Sequence, residues 1–145
     1  GLQFSNLTNG STPDAWSVHW QPGGDLLLVY SLYGQSWYEP PQSALRLYDP
    51  ATGAFEVVDS GSPDPLGAPA WAPDGGRFAW VSGDRTIRMR DGASEREWEA
   101  AQTLSNDLTW APDGSVVLAS ALDGSQPSAL LRRNPVTGWA DAALP

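Results

Sequence analysis

The sequence predicts an all-β fold built from three copies of one four-stranded unit. Three observations predict it. A Trp, a Pro two residues on and a Gly two residues beyond that recur as Trp20, Pro22, Gly24, then Trp71, Pro73, Gly75, then Trp110, Pro112, Gly114. After each motif come short runs rich in Val, Leu, Trp and Tyr, bounded by Gly, Pro, Asp and Ser, which is the composition of strands and the turns between them. No window sustains the apolar period of a helix.

Taken in order, residues 1–14 hold a strand-like run, Gln3 to Thr8, and an Asn9-Gly10 turn that belong to none of the three copies. The first unit spans 15–60. Its Trp20-Gln21-Pro22-Gly23-Gly24 turn leads to runs at Leu26–Ser31 and Leu45–Asp49; the turn Asp49-Pro50-Ala51-Thr52-Gly53 and a run at Phe55–Val58 follow. The second spans 66–101, with Trp71-Ala72-Pro73-Asp74-Gly75 and runs at Arg77–Ser82, Ile87–Asp91 and Glu97–Ala100. The third spans 106–143, with Trp110-Ala111-Pro112-Asp113-Gly114 and runs at Val116–Ser120, Leu130–Asn134 and Trp139–Ala142. Pro presets a negative φ, Asp74 and Asp113 bond back to their own backbone, and Gly takes a positive φ without steric cost. The motif tryptophans are expected to pack between units as core.

Tandem four-stranded units of about 40 residues are blades of a β-propeller. The WAPDG strings at 71–75 and 110–114 and the related WQPGG at 20–24 resemble the TolB-like, WD-repeat-related propeller family, whose hallmark is a Trp-Ser-Pro-Asp-Gly turn between the first two strands of a blade. Here Gln21, Ala72 and Ala111 stand at the Ser position, and Gly23 replaces Asp in the first copy. The resemblance covers about residues 15–142 and implies a six-bladed ring, of which three blades are present. A closed ring needs at least about four blades, so the expectation is a partner: a second copy forming a homo-oligomer, or the remaining blades of a longer chain. The strand left over in 1–14 resembles the outer strand of such a blade.

Composition excludes whole classes of function. With 17 acidic residues against 8 Arg, no Lys and a net charge of -9, the chain lacks the basic face that nucleic acid requires. With no Cys and one His there is no thiol chemistry and no zinc set. The Asp-x-Asp-x-Asp-Gly calcium pattern is absent. No cofactor, metal or membrane span is expected. The start of the sequence has neither the basic nor the apolar run of a signal peptide. The TolB-like resemblance implies a periplasmic or cell-surface location, and the Lys-free, Arg-, Ala- and Gly-rich usage is that of a GC-rich bacterial source.

Two places invite a functional reading. The segment Ser31–Ser43, SLYGQSWYEPPQS, is the longest link between second and third strands and presents Tyr33, Trp37 and Tyr38. Such aromatics suit contact with a protein, peptide or glycan; they equally suit a lid folded on a neighbouring blade. His19 stands before Trp20, near Ser17, Asp14 and Asp25. No Gly-x-Ser-x-Gly elbow accompanies it, so it reads as a channel-facing structural histidine. Glu95, Glu97 and Glu99 alternate on one strand face and read as a solvated edge. No catalytic set emerges, and the function expected is a non-enzymatic binding scaffold. The alternatives are the substrate-gating propeller of an oligopeptidase-like hydrolase and a purely structural subunit.

Overall fold

The computed structural model describes residues 15–33, 42–61, 66–101, 103–115, 117–123, 126–133 and 142–144. Among them there are strands and turns and no helix, hence no helix long and apolar enough to cross a membrane. Twelve strands follow in chain order: β1 (Ala15–Trp20), β2 (Leu27–Tyr33), β3 (Gln42–Asp49), β4 (Ala54–Gly61), β5 (Ala70–Trp71), β6 (Arg77–Ser82), β7 (Thr86–Asp91), β8 (Ser94–Glu99), β9 (Thr103–Trp110), β10 (Val117–Asp123), β11 (Gln126–Arg133) and β12 (Ala142–Leu144). They form three four-stranded antiparallel sheets, each pairing its strands in sequence order. We number these sheets 1 to 3.

The register makes the copies superimposable in detail. Trp20 pairs with Leu27, Trp71 with Phe78 and Trp110 with Val117; the preceding residues His19, Ala70 and Thr109 pair with Leu28, Ala79 and Leu118. The first-turn chemistry differs in one instructive way. In sheets 2 and 3 the Asp carboxylate accepts from the backbone two residues on, Asp74 from Gly76 at 2.8 Å and Asp113 from Ser115 at 3.0 Å. Gly75 and Gly114 then take φ near +70°. In sheet 1 the Pro-Gly pair puts the positive φ on Gly23 instead, at +67°, as a type II turn requires.

The sheets pack face to face. Leu28, Tyr30 and Leu45 of sheet 1 meet Phe78 and Trp80 of sheet 2. The opposite face of sheet 2, with Ala79, Val81, Ile87 and Met89, meets Leu104 and Trp110 on β9. Strand alternation explains both, since successive residues of β6 address opposite neighbours. A polar tie reinforces the first interface. Asp59 on β4, its side chain 12% exposed, accepts from Trp80 Nε1 at 2.7 Å and Ser82 Oγ at 3.0 Å, with Arg88 Nη1 at 3.5 Å. Arg90 donates to Glu56 at 2.6 Å across the same interface.

Three sequence expectations need correction. Trp20 is not core: it is 59% exposed, against 8% for Trp110. Among the described residues no sheet packs against its face of sheet 1. The fourth strand of the second unit begins at Ser94, not Glu97, because Asp91 pairs with Ser94 around Gly92 at φ +57°, a tighter hairpin than the one from Asp49 to Ala54 in the first unit. The last strand is Ala142–Leu144, sharing only Ala142 with the expected run. Residues 1–14, with their unassigned strand, lie outside the described residues.

Candidate functional site

The first strand of sheet 2, β5, neighbours both β1 and β9, and the three border an open cleft of about 410 Å³ lined by His19, Trp20, Ala68, Pro69, Ala70, Trp71 and Leu108. The repeat itself builds this place. Trp71 Nε1 donates to the His19 carbonyl at 3.0 Å, and Trp110 Nε1 donates to the Ala70 carbonyl at 3.0 Å. Trp71 and Trp110 thus each tie their sheet to the first strand of the sheet before it. The indole satisfies its one donor and a carbonyl left over at the strand edge.

A second tie repeats at the turns. Gln21 Nε2 donates to the Gly75 carbonyl at 2.8 Å, and Arg77 Nη2 donates to the Gly114 carbonyl at 3.1 Å. The donors come from different motif positions, yet both reach the motif Gly of the next unit. Arg77 is held by Asp74 at 2.6 Å and lies 5.1 Å from the Trp110 ring centroid, within cation–π range. The Arg77 guanidinium in turn keeps the Asp74 carboxyl below its ordinary pKa. Gly75 is fixed twice over: its φ is +70°, and a Cβ there would run into the Pro22 carbonyl of sheet 1.

Among the described residues that line the cleft, His19 is the one titratable side chain. Burial lowers its pKa below the ordinary imidazole value, so it is neutral at pH 7. Its Nε2 lies 3.1 Å from Ser17 Oγ. Alternation along β1 puts the two side chains on one face. No carboxylate among the described residues is hydrogen-bonded to this imidazole, so the orienting third member of a nucleophile–base set is lacking there. The cleft offers an apolar floor, two indoles at its rim and one neutral donor–acceptor, which are the means of binding.

Of the aromatic residues singled out in the 31–43 segment, Tyr33 closes β2, where its backbone pairs with Gln42; Trp37 and Tyr38 lie outside the described residues. The motif residues Pro22, Gly24, Pro73, Asp74, Pro112, Asp113 and Gly114 all sit in the first turns. Glu95, Glu97 and Glu99 are exposed on β8; Glu95 and Glu97 lie 3.7 and 3.4 Å from Arg88. No group of three or more His, Asp or Glu side chains placed to hold a metal occurs among the described residues. Sequence reasoning missed the Asp59–Trp80–Ser82–Arg88 cluster, because its members come from three strands and no spacing announces it.

No family model and no curated protein matches the chain. Among solved structures the chain is similar to TolB from Acinetobacter baumannii, with 21% identity and a TM-score of 0.61 over 88% of this chain. It spans 31% of the TolB chain, about a third of its length. It is also similar, at 13% identity and a TM-score of 0.48, to a protein of Bacteroides uniformis described as a candidate 6-phosphogluconolactonase, over 92% of this chain and 54% of that one. The first likeness, with the three meander sheets, shows a TolB-like β-propeller fold.

Proposed function

We propose that the chain is a non-enzymatic propeller scaffold that binds a protein or peptide partner outside the cytoplasm. The axial cleft is its principal contact, and the aromatic segment with Tyr33, Trp37 and Tyr38 is a second one. The observation that carries this reading is the cleft: open, about 410 Å³, apolar along Ala68, Pro69, Ala70 and Leu108, and rimmed by Trp20 and Trp71. The exposed indole of Trp20, beside the half-buried Trp71 and an apolar floor, gains area on binding at little cost in side-chain entropy. The His19–Ser17 pair supplies direction without reactivity.

The test is an NMR titration of the ¹⁵N-labelled chain with extended apolar peptides and, separately, with oligosaccharides. The expected result is a cluster of shifted amides at residues 19, 68, 70, 71 and 108 with peptide. Loss of that cluster in Ala68→Phe, which fills the cleft, completes the test. Unchanged affinity in Trp37→Ala would remove the aromatic segment as a contact. Oligosaccharide alone shifting the cleft, or no ligand shifting it, would overturn the peptide reading.

A further inference from the structure

Sheets 1 and 2 pack unevenly along their length. At the end where the chain crosses from one to the other, the buried Leu66 fills the wedge beside Tyr30, Leu45 and Trp80. Its backbone is fixed twice, the amide donating to Ser43 Oγ and the carbonyl accepting from Tyr30 Oη, each at 2.7 Å. At the opposite end, where the first turns lie, the same interface opens into a pocket of about 180 Å³. Gln21, Leu26 and Leu47 wall it from sheet 1, and Trp71, Gly75 and Arg90 from sheet 2. A second depression, of about 250 Å³, adjoins it, sharing Leu26 and Leu47 and reaching Asp49, Phe55 and Glu56.

The next junction shows what such a place holds. Leu26 and Arg77 are the same residue of the repeat. The Leu26 carbonyl accepts from Gln21 N as the Arg77 carbonyl accepts from Ala72 N, and the residues that follow, Leu27 and Phe78, pair with Trp20 and Trp71. Between sheets 2 and 3 the Arg77 guanidinium lies 5.1 Å from the Trp110 ring centroid and donates to the Gly114 carbonyl at 3.1 Å. The corresponding groups between sheets 1 and 2 are Trp71 and Gly75, and both line the pocket. Leu26 gives that pocket an apolar wall and no donor. The Gly75 carbonyl accepts from Gln21 Nε2 at 2.8 Å and keeps a second lone pair.

Charge at this end points the same way. The four turns there, 21–26, 49–53, 72–76 and 91–93, contain Asp25, Asp49, Asp74 and Asp91 and no Arg. Asp74 is engaged by Arg77 at 2.6 Å. Arg90, in the pocket wall, is already matched, since it donates to Glu56 at 2.6 Å and to the Gly92 carbonyl at 2.9 Å. The field over the pocket therefore favours a cation.

We propose that this pocket receives an arginine side chain from a protein or peptide partner. Its guanidinium lies over Trp71 and donates to the Gly75 carbonyl, as Arg77 serves Trp110 and Gly114. An apolar neighbour of that arginine rests in the adjoining depression against Leu26, Leu47 and Phe55. Arginine suits the place better than lysine, because its planar head stacks on an indole while its edge donates. The site is distinct from the axial cleft, with which it shares Trp71 alone among its lining residues.

The test is an NMR titration of the ¹⁵N-labelled chain with a capped Leu-Arg-Leu peptide and with the same peptide carrying neutral citrulline in place of arginine. The expected result is shifted amides at Gln21, Leu26, Gly75 and Gly76, with binding several-fold weaker for citrulline. Leu26→Arg supplies the guanidinium from within the chain and should abolish those shifts. Ala68→Phe, which fills the cleft, should leave them intact. Thermal melting shows whether Leu26→Arg folds; if it does not, the citrulline comparison decides alone. No shift at these amides, equal binding of the two peptides, or shifts that survive in a folded Leu26→Arg would overturn the proposal. Amides at 19, 68 and 70 moving in their place would overturn it too, by putting the arginine in the cleft.

Discussion

Trp20, Trp71 and Trp110 are one residue in the repeat, and truncating each in turn should give different costs. Trp110 is 8% exposed, donates to the Ala70 carbonyl at 3.0 Å and lies beneath the Arg77 guanidinium. Trp110→Ala removes that burial and leaves the carbonyl unpaired, which should cost about 3–5 kcal/mol. A domain's whole stability is about 5–15 kcal/mol, so much of it is at stake. At this chain length each kcal/mol moves the melting temperature by about 2–4 °C, so the expected drop is roughly 6–20 °C. Trp20 is 59% exposed, and none of its described neighbours accepts from its indole. In the dilute chain Trp20→Ala should cost about 1 kcal/mol or less. Urea unfolding of both variants at low micromolar concentration, fitted with a common slope, measures the difference. Equal costs would refute the view that the inter-sheet tie, rather than the motif residue itself, carries the stability.

Other consequences follow from the same contacts. Gly75→Ala meets both an unfavourable φ of +70° and the Pro22 carbonyl, whereas Gly53→Ala, at φ +72° with open space around it, meets only the first; chemical denaturation should show the former costing more than the latter's roughly 1–2 kcal/mol. Asp59→Ala deprives Trp80, Ser82 and Arg88 of their shared acceptor and should cost about 2–4 kcal/mol, with Asp59→Asn recovering part of it in the same assay. Burial holds the His19 pKa below its unfolded value, so between the two values the unfolded chain binds the extra proton. Stability should therefore fall as pH drops through about 6.5. His19→Gln should flatten that slope in melting curves taken from pH 8 to about 5. Hydrogen bonds from Thr52, Arg77 and Ser115 lower the pKa values of Asp49, Asp74 and Asp113 respectively; that part of the stability is present above the ordinary carboxylate range and should be lost as pH falls through and below about 4.

What could be read from the sequence was what the chain decides locally. Pro, Asp and Gly at fixed offsets in 71–75 and 110–114 dictate a turn whatever surrounds it, so the strands on either side follow. The all-β class and the meander order came from that chemistry. What could not be read depends on neighbours far along the chain. Trp20 carries the same signal as Trp110, yet it is 59% exposed where Trp110 is 8%, and no described sheet packs against it. Asp59 looks like one more surface acid until Trp80, 21 residues away, is seen to donate to it. The cleft was half legible. His19 was placed on an inner strand by register, but its apolar companions Ala68 and Pro69 lie in a connecting segment with no motif of its own.

One irregularity of the repeat did hold a readable clue. The first copy replaces Asp with Gly23 and Ala with Gln21, and the structure shows that the two changes belong together. With no carboxylate at 23 to order the turn, the Gln21 amide does so: its Oε1 accepts from Leu26 N at 3.2 Å while its Nε2 reaches Gly75 at 2.8 Å. Gly24 leaves it room, since a Cβ there would strike the Gln21 side chain. In the second copy Asp74 orders the turn and also holds Arg77, which does the reaching. Each turn thus needs one group to order it and one to grip the next sheet, and a single side chain serves both ends only where the carboxylate is missing. The third copy keeps Asp113 and its turn bonds to Ser115, yet Ala111 and Val116 hold the gripping positions. The third copy thus keeps the half of the motif that makes the turn, and its sequence has neither the Gln nor the Arg that grips the next sheet in the other two copies.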